Sequence, residues 1–198
     1  FLYVRRDGED QTWLARGSIS LDKDVANWLD PTVVTLPQER IAKVTLWSIS
    51  ENPAILSRSS PDHPNFVVEN LPVGSVSRGA PVVNASATAF ASFEFLDAVP
   101  IESIIFNNPP VAEIVTFDGL KLTLTMAGAN TGMWAKIVAS ADRSMIAEDA
   151  DTSALDAEIA EINEQMGDWA YKLEQNLGSR LTQTIGGLTR PVTEPTAP

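Results

Sequence analysis

Alternating apolar and polar residues between positions 111 and 126, VAEIVTFDGLKLTLTM, predict a β-hairpin around which the domain is built. Asp118-Gly119 is a strong two-residue turn signal, because a type I′ turn needs positive φ at both central positions. With this turn, Val115 faces Leu122 across the hairpin. The leucines then share an apolar face that covers a core, and the other face is mostly polar, with Lys121, Thr123 and Thr125.

The same alternation, together with β-branched and aromatic composition, predicts further short strands. The segment MWAKIVA should pair beside the hairpin as its third strand, and in IAKVTLWSI we expect Ile41, Leu46 and Trp47 to be partly buried. Serine, proline and glycine are concentrated in residues 53–64 and 71–81, which predicts loops. The predicted strands are residues 1–6, 11–16, 41–49, 66–69, 101–106, 133–139 and 169–173.

Helical periodicity is clearest after residue 151, where Leu155, Ile159, Ile162 and Met166 recur every three or four residues. Gly167 should end this helix. A short helix is predicted after an N-cap at Asp22, and another over residues 177–188, weakened by its glycines. Residues 84–96 have two interpretations, a helix capped by Asn84 or Ser86 that carries Phe90, Phe93 and Leu96 on one face, or a strand in the alternating FASFEF.

These elements predict an α+β fold of antiparallel β-hairpins and short sheets with packed helices. We expect a single domain over residues 1–190 and a disordered, Pro/Thr-rich tail over 191–198. The similarity of residues 41–44 (IAKV) to 111–114 (VAEI) suggests a duplicated α+β unit, with divergent repeats at about 1–108 and 109–190. One compact domain and two packed repeats both remain open at this point.

Composition narrows the possible partners. Fourteen basic residues against 26 acidic residues give a net charge of −12, which repels nucleic acid and anionic lipid headgroups. The absence of cysteine excludes disulfides, thiolate catalysis and cysteine-based zinc sites. Because the chain starts inside a predicted strand, at Phe1, we expect it to be a fragment that lacks an N-terminal membrane anchor.

The sequence carries no motif that identifies a catalytic, cofactor or metal site. His63, the only histidine, lies in a Pro-Asp-His-Pro loop, where we expect an exposed residue without a catalytic or metal-binding role. Asn84-Ala85-Ser86 matches a glycosylation acceptor but is equally typical of helix capping. The segment 148–168 holds eight carboxylates and no basic residue, and it is interpreted as a solvated helix face, with docking of a basic partner as the alternative.

The five tryptophans are spread along the chain, each within or beside an amphipathic element. We predict that most of them anchor the core and that one or two mark an interface, although the sequence does not say which. They are Trp13, Trp28, Trp47, Trp134 and Trp169.

Four stretches taken together resemble the DUF4340 family of bacterial proteins. They are YVRRDGEDQTWLARGSISLDKDVANWLDPTVV, ASATAFASFEFLDAV, VAEIVTFDGLKLTLTM followed by MWAKIVA, and WAYKLEQNLGSRLTQTIGGL. The resemblance implies an N-terminal membrane anchor, a domain on the periplasmic face of the bacterial inner membrane, and genes next to components of a gliding-motility-type ABC transporter. The family has no assigned activity, so no catalytic residue is carried over.

We therefore expect a non-enzymatic, extracytoplasmic accessory domain that binds the permease or an auxiliary subunit of an ABC-type transport complex. The alternative is a small-molecule or glycan-binding module of the cell envelope that uses exposed tryptophan or tyrosine as a stacking platform. A third hypothesis, a hydrolase with two carboxylates facing each other across a cleft, has no particular pair of acids in its favour. No cofactor is expected.

Overall fold

The computed structural model describes residues 1–18, 20, 32–49, 52–129 and 132–192. The helix predicted after Asp22, with Trp28, lies outside these residues, as does most of the predicted tail.

A nine-stranded antiparallel sheet forms the centre of the molecule, which confirms the α+β prediction. Its strands are β3 (Thr32–Val34), β4 (Ile41–Trp47), β5 (Ala54–Ser57), β6 (Val67–Val68), β8 (Phe93–Pro100), β9 (Val111–Thr116), β10 (Leu120–Ala129), β11 (Gly132–Ala141) and β12 (Trp169–Leu173). They run in the spatial order β3-β8-β12-β11-β10-β9-β4-β5-β6. Strands from both predicted repeats therefore share one sheet, and an ancestral duplication stays a prediction.

The described residues also form two smaller two-stranded sheets. One is the N-terminal hairpin of β1 (Leu2–Arg5) and β2 (Thr12–Ala15), joined by a turn in which Gly8 has φ +76°. The other pairs β7 (Ser75–Ser77) with β13 (Thr189–Pro191). The first confirms the two strands predicted at the N-terminus. The second was not predicted, because residues 71–81 resemble a loop in composition.

Helices cover one face of the large sheet, where the hydrophobic core lies. The side chains of Leu120, Leu122, Leu124 and Met126 project from β10 into this core and are completely buried. The predicted stripe of α2 packs on β11, with Leu155, Ile162 and Met166 buried. The helices are α1 (Ala80–Ala87), α2 (Ser153–Met166), α3 (Gln175–Leu181) and α4 (Ile185–Leu188).

The central hairpin exists, but its predicted register is wrong by one residue. Leu122 pairs with Ile114 rather than with Val115. The loop contains three residues, with Gly119 alone at positive φ (+89°), because the Thr116 hydroxyl accepts a 2.9 Å hydrogen bond from the Leu120 amide. Ile114 consequently faces the core, and Val115 joins the polar side of the sheet.

In residues 84–96 the strand interpretation is correct from Phe93 onward, and the helix predicted to carry Phe90, Phe93 and Leu96 is not formed. Helix α1 begins earlier, after Gly79, and it contains Asn84 and Ser86 in its interior rather than at its start. A short 3-10 turn follows at Ala89–Ser92, and β8 begins at Phe93. The alternating residues Phe93 and Phe95 form a strand because both side chains are buried against Tyr171 of β12.

Three other predicted segments differ. Residues 53–64 contain β5, which the serines and prolines around it obscure. Residues 101–106 form a 3-10 turn at Ile101–Ser103 and an irregular connection instead of a strand. The helix predicted over 177–188 is divided into α3 and α4, since Gln183-Thr184 separates two helical segments and the Thr184 hydroxyl caps the second.

Candidate functional site

The face of the large sheet opposite the helices, here called the outer face, is polar and carries every described lysine. Lys43 of β4 and Lys121 of β10 lie on the same row, on either side of Val115. Lys136 and Lys172 occupy β11 and β12. Lys121 forms a 4.0 Å ion pair with Glu113 of β9. This confirms the polar side predicted for the hairpin.

Part of the outer face is covered by the connection between β8 and β9. Phe106 in this connection lies against Lys136, whose Nζ is 5.3 Å from the ring centroid. Trp134, Ala127 and Ala170 are outer-face residues by register, yet they are at most 7% exposed. The open part of the outer face is therefore on the side of β4 and β5. It also includes the first residues of β10 and the last residues of β11, where Val138 is 47% exposed.

Most described tryptophans lie at the surface. Trp13, Trp47 and Trp169 are 57%, 46% and 43% exposed, and Trp134 is 3% exposed. The prediction that most tryptophans anchor the core is therefore wrong for three of the four. Strand parity gave the signal for Trp47, since it shares the alternation of Lys43 and Thr45 and lies with them on the outer face.

The β1–β2 hairpin projects from the rest of the described chain and contains no buried residue. Tyr3 pairs with Leu14 on one face, and these side chains are 80% and 59% exposed. Val4 pairs with Trp13 on the opposite face. An isolated two-stranded ribbon is marginally stable in water, so exposed apolar side chains on both of its faces are typical of a binding element.

Arg40 connects the hairpin loop of the sheet to the acidic helix α2. Its guanidinium donates hydrogen bonds of 2.8 and 2.9 Å to the two carboxylate oxygens of Glu158 and one of 2.7 Å to Asp118. The Glu158 contact is the main reason that the pKa of Arg40 is raised. Partial burial opposes ionisation of Asp118, but hydrogen bonds from Thr116 and Arg40 outweigh it and lower the pKa of this carboxyl. This cluster is structural, because every charge in it has a partner.

Arg58 holds the loop that contains His63. The guanidinium donates to the carbonyl oxygens of Ile41 and His63 and lies 4.9 Å from the centre of the Phe66 ring. Desolvation is the main cause of the lowered pKa of Arg58. The His63 side chain is exposed, as expected, and only its backbone takes part in this arrangement.

The glycosylation pattern at Asn84 has a structural explanation. The Asn84 side-chain oxygen accepts a 2.9 Å hydrogen bond from the Phe66 amide, and its nitrogen donates to Asn65 and Pro64. A glycan on this nitrogen would displace these contacts. Asn84 thus joins α1 to the segment before β6.

A hollow at the start of α3 is lined by two carboxylates, one of which is already hydrogen-bonded. Glu94 and Glu174 line this hollow of about 230 Å³, and the Glu174 carboxylate accepts hydrogen bonds from the amides of Asn176 and Leu177 at the start of α3. In the described part of the chain, no three His, Asp or Glu side chains are grouped so that they could hold a metal ion. None of the helices described has the length and apolar composition needed to span a bilayer.

Most of the acidic segment 148–168 lies along α2, as predicted. Asp156 accepts from the Thr152 hydroxyl, and Asp151, whose pKa is lowered by the Ser153 amide, stabilises the start of the helix. Glu161 and Glu164 are exposed on the side of α2 that faces away from the sheet.

Comparison of the chain with protein-family models, with curated proteins and with solved structures gives no match.

Proposed function

We propose that this chain is a non-enzymatic interaction domain that works through exposed aromatic side chains on its sheet and N-terminal hairpin. The observation that carries the proposal is the exposure of Trp13, Trp47 and Trp169. Tryptophan is a rare surface residue and a frequent contributor to protein interfaces, where its large ring is buried by the partner.

The resemblance of the sequence to DUF4340 proteins suggests the setting for this interaction. In this proposal the domain lies on the periplasmic side of the bacterial inner membrane and is an accessory subunit of an ABC-type transport complex. The partner is the permease or an auxiliary subunit. The negative net charge supports a protein partner over nucleic acid.

The experiment is purification of the full-length protein from detergent-solubilised native membranes, with identification of every associated chain. We expect recovery of an ABC-type permease in a fixed ratio. A variant with Trp47→Ser and Trp169→Ser should lose the permease, while Val73→Ser, at a fully exposed loop position, should retain it. Recovery of the protein alone, from a fraction that contains the permease, would contradict the proposal.

A small-molecule or glycan-binding module is the second candidate, because Trp47 has a suitable position for it. Trp47, Val111, Thr125 and Lys136 form one row across four adjacent strands of the outer face. The exposed Trp47 ring can stack on a sugar, and the Thr125 hydroxyl, two strands away in the same row, can donate a hydrogen bond to a longer glycan. A titration with N-acetylglucosamine oligomers should then quench tryptophan fluorescence in the wild type and not in Trp47→Ser.

A further inference from the structure

The N-terminal hairpin and helix α2 have complementary surfaces. The twelve residues 1–6 and 11–16 of the hairpin contain three arginines and no acidic residue, and its carboxylates are confined to the turn, where Glu9 pairs with Arg6 at 3.8 Å. Arg5 and Arg16 share one face of the ribbon with Tyr3 and Leu14. This basic and aromatic face has no covering element among the described residues.

The exposed side of α2 has the opposite character. Helical geometry places Ala154, Ala157 and Ala160 on the side away from the core, next to Glu161 and Glu164, and all five are exposed. Glu158 is already bound by Arg40, so it belongs to the intrachain cluster. The alanines make a flat surface on which rings can lie. The exposed carboxylates can receive guanidinium groups, although Glu161 also accepts a 3.4 Å hydrogen bond from Gln165 and Asp156 accepts one from the Thr152 hydroxyl.

The spacing of the charges agrees as well. Arg5 and Arg16 are about 13 Å apart along the ribbon, from four residues at ~3.3 Å each. The carboxylates from Asp156 to Glu164 extend over about 12 Å of helix, from eight residues at ~1.5 Å each. Tyr3 and Leu14 lie between the two arginines, as Ala157 and Ala160 lie between the outer carboxylates.

We propose that the basic face of the β1–β2 hairpin binds the acidic, alanine-lined side of α2 in a second copy of this chain. The exchange is reciprocal, since each copy offers one hairpin and one helix, and it closes as a two-fold dimer. Tyrosine and arginine together form the centre of the contact, in keeping with their frequency at interfaces. The inference concerns self-association and does not depend on the partner proposed above.

Charge reversal provides the test. Sedimentation equilibrium of the chain between 1 and 200 μM in 20 mM NaCl should show a reversible dimer, whose dissociation constant rises at least tenfold in 500 mM NaCl because the ion pairs are screened. Arg5→Glu with Arg16→Glu should be monomeric, and so should Asp156→Arg with Glu164→Arg. An equimolar mixture of these two double variants restores both contacts and should give a 1:1 heterodimer.

The rescue in the mixture separates loss of binding from loss of folding. Matched control variants are Arg190→Glu and Glu102→Arg, which reverse exposed charges elsewhere and should leave the dimer unchanged. A monomer at 200 μM in low salt would overturn the proposal. This result would also be obtained if the hairpin bound the helix of its own chain. A dimer that ignores the reversals, or failure of the mixture to associate, would also overturn it.

Discussion

Replacing Arg40 by methionine tests whether one side chain fastens helix α2 to the sheet. Methionine retains most of the aliphatic stem, so the packing of the stem changes little while the charged hydrogen bonds are removed. The variant loses the two-oxygen contact with Glu158 and the single contact with Asp118. Both carboxylates are accessible to water, with side chains 35% and 56% exposed, so each can be resolvated.

The expected cost follows from this geometry. The bidentate pair with Glu158, made by an arginine side chain that is only 28% exposed, should be worth about 1 kcal/mol, and the exposed pair with Asp118 about 0.5 kcal/mol, after allowance for solvent screening. The sum of about 1.5 kcal/mol corresponds to a decrease in Tm of about 3–6 °C for a chain of this length.

Urea unfolding at pH 7, followed by tryptophan fluorescence, measures the loss, with Arg180→Met as the control at an exposed arginine of α3. A double-mutant cycle with Glu158→Gln should give a coupling energy of about 1 kcal/mol. The lowered pKa of Asp118 adds a pH dependence, because its pairing stabilises the fold above its unfolded pKa of about 3.9 and is lost as the pH falls through the folded value. Additive effects of the two mutations, or a loss below ~0.3 kcal/mol, would refute the reasoning.

Three further experiments test other parts of the structure. Gly119→Ala should cost about 2 kcal/mol or more, because φ is +89° there and a Cβ would collide with Ile146, while Gly128→Ala meets no neighbour and should change stability by less than ~0.5 kcal/mol. Leu124→Ala should cost about 3 kcal/mol in urea unfolding and Thr123→Ala less than ~0.5 kcal/mol, since the two side chains lie on opposite faces of the sheet; equal losses would contradict the observed orientation of β10. Mild N-bromosuccinimide oxidation of the purified chain, read by peptide mass spectrometry, should modify the three exposed tryptophans well before Trp134.

Local periodicity was sufficient to predict the elements with the strongest patterns. The α2 stripe was identifiable because one side of the helix is buried and the other is exposed. The β11 strand beside the hairpin and the β12 strand were identifiable from their aromatic and β-branched residues, although part of their outer side is buried as well. The register of the central hairpin could not be predicted from local periodicity. It depends on the hydrogen bond between the Thr116 hydroxyl and the Leu120 amide, and Asp118-Gly119 is compatible with loops of two and of three residues.

Features that depend on distant contacts could not be predicted. Trp134 is buried although its register places it on the outer face, and no local pattern in the sequence indicates this burial. Arg40 pairs with a carboxylate 118 positions away, which sequence spacing does not reveal. The exposed hairpin was predicted as two strands, but only the folded structure shows that no element among the described residues covers it.

The most direct test of the proposed interaction function compares the accessibility of tryptophans in two states of the protein. Hydroxyl-radical footprinting of the full-length protein in native membranes, set against the purified chain, reports the exposure of Trp47 and Trp169 in each state. Partner binding predicts at least a fivefold slower oxidation of one or both in membranes, with Val73 unchanged as an internal reference. Equal oxidation rates in the two states would contradict the proposal that these side chains are covered by a partner.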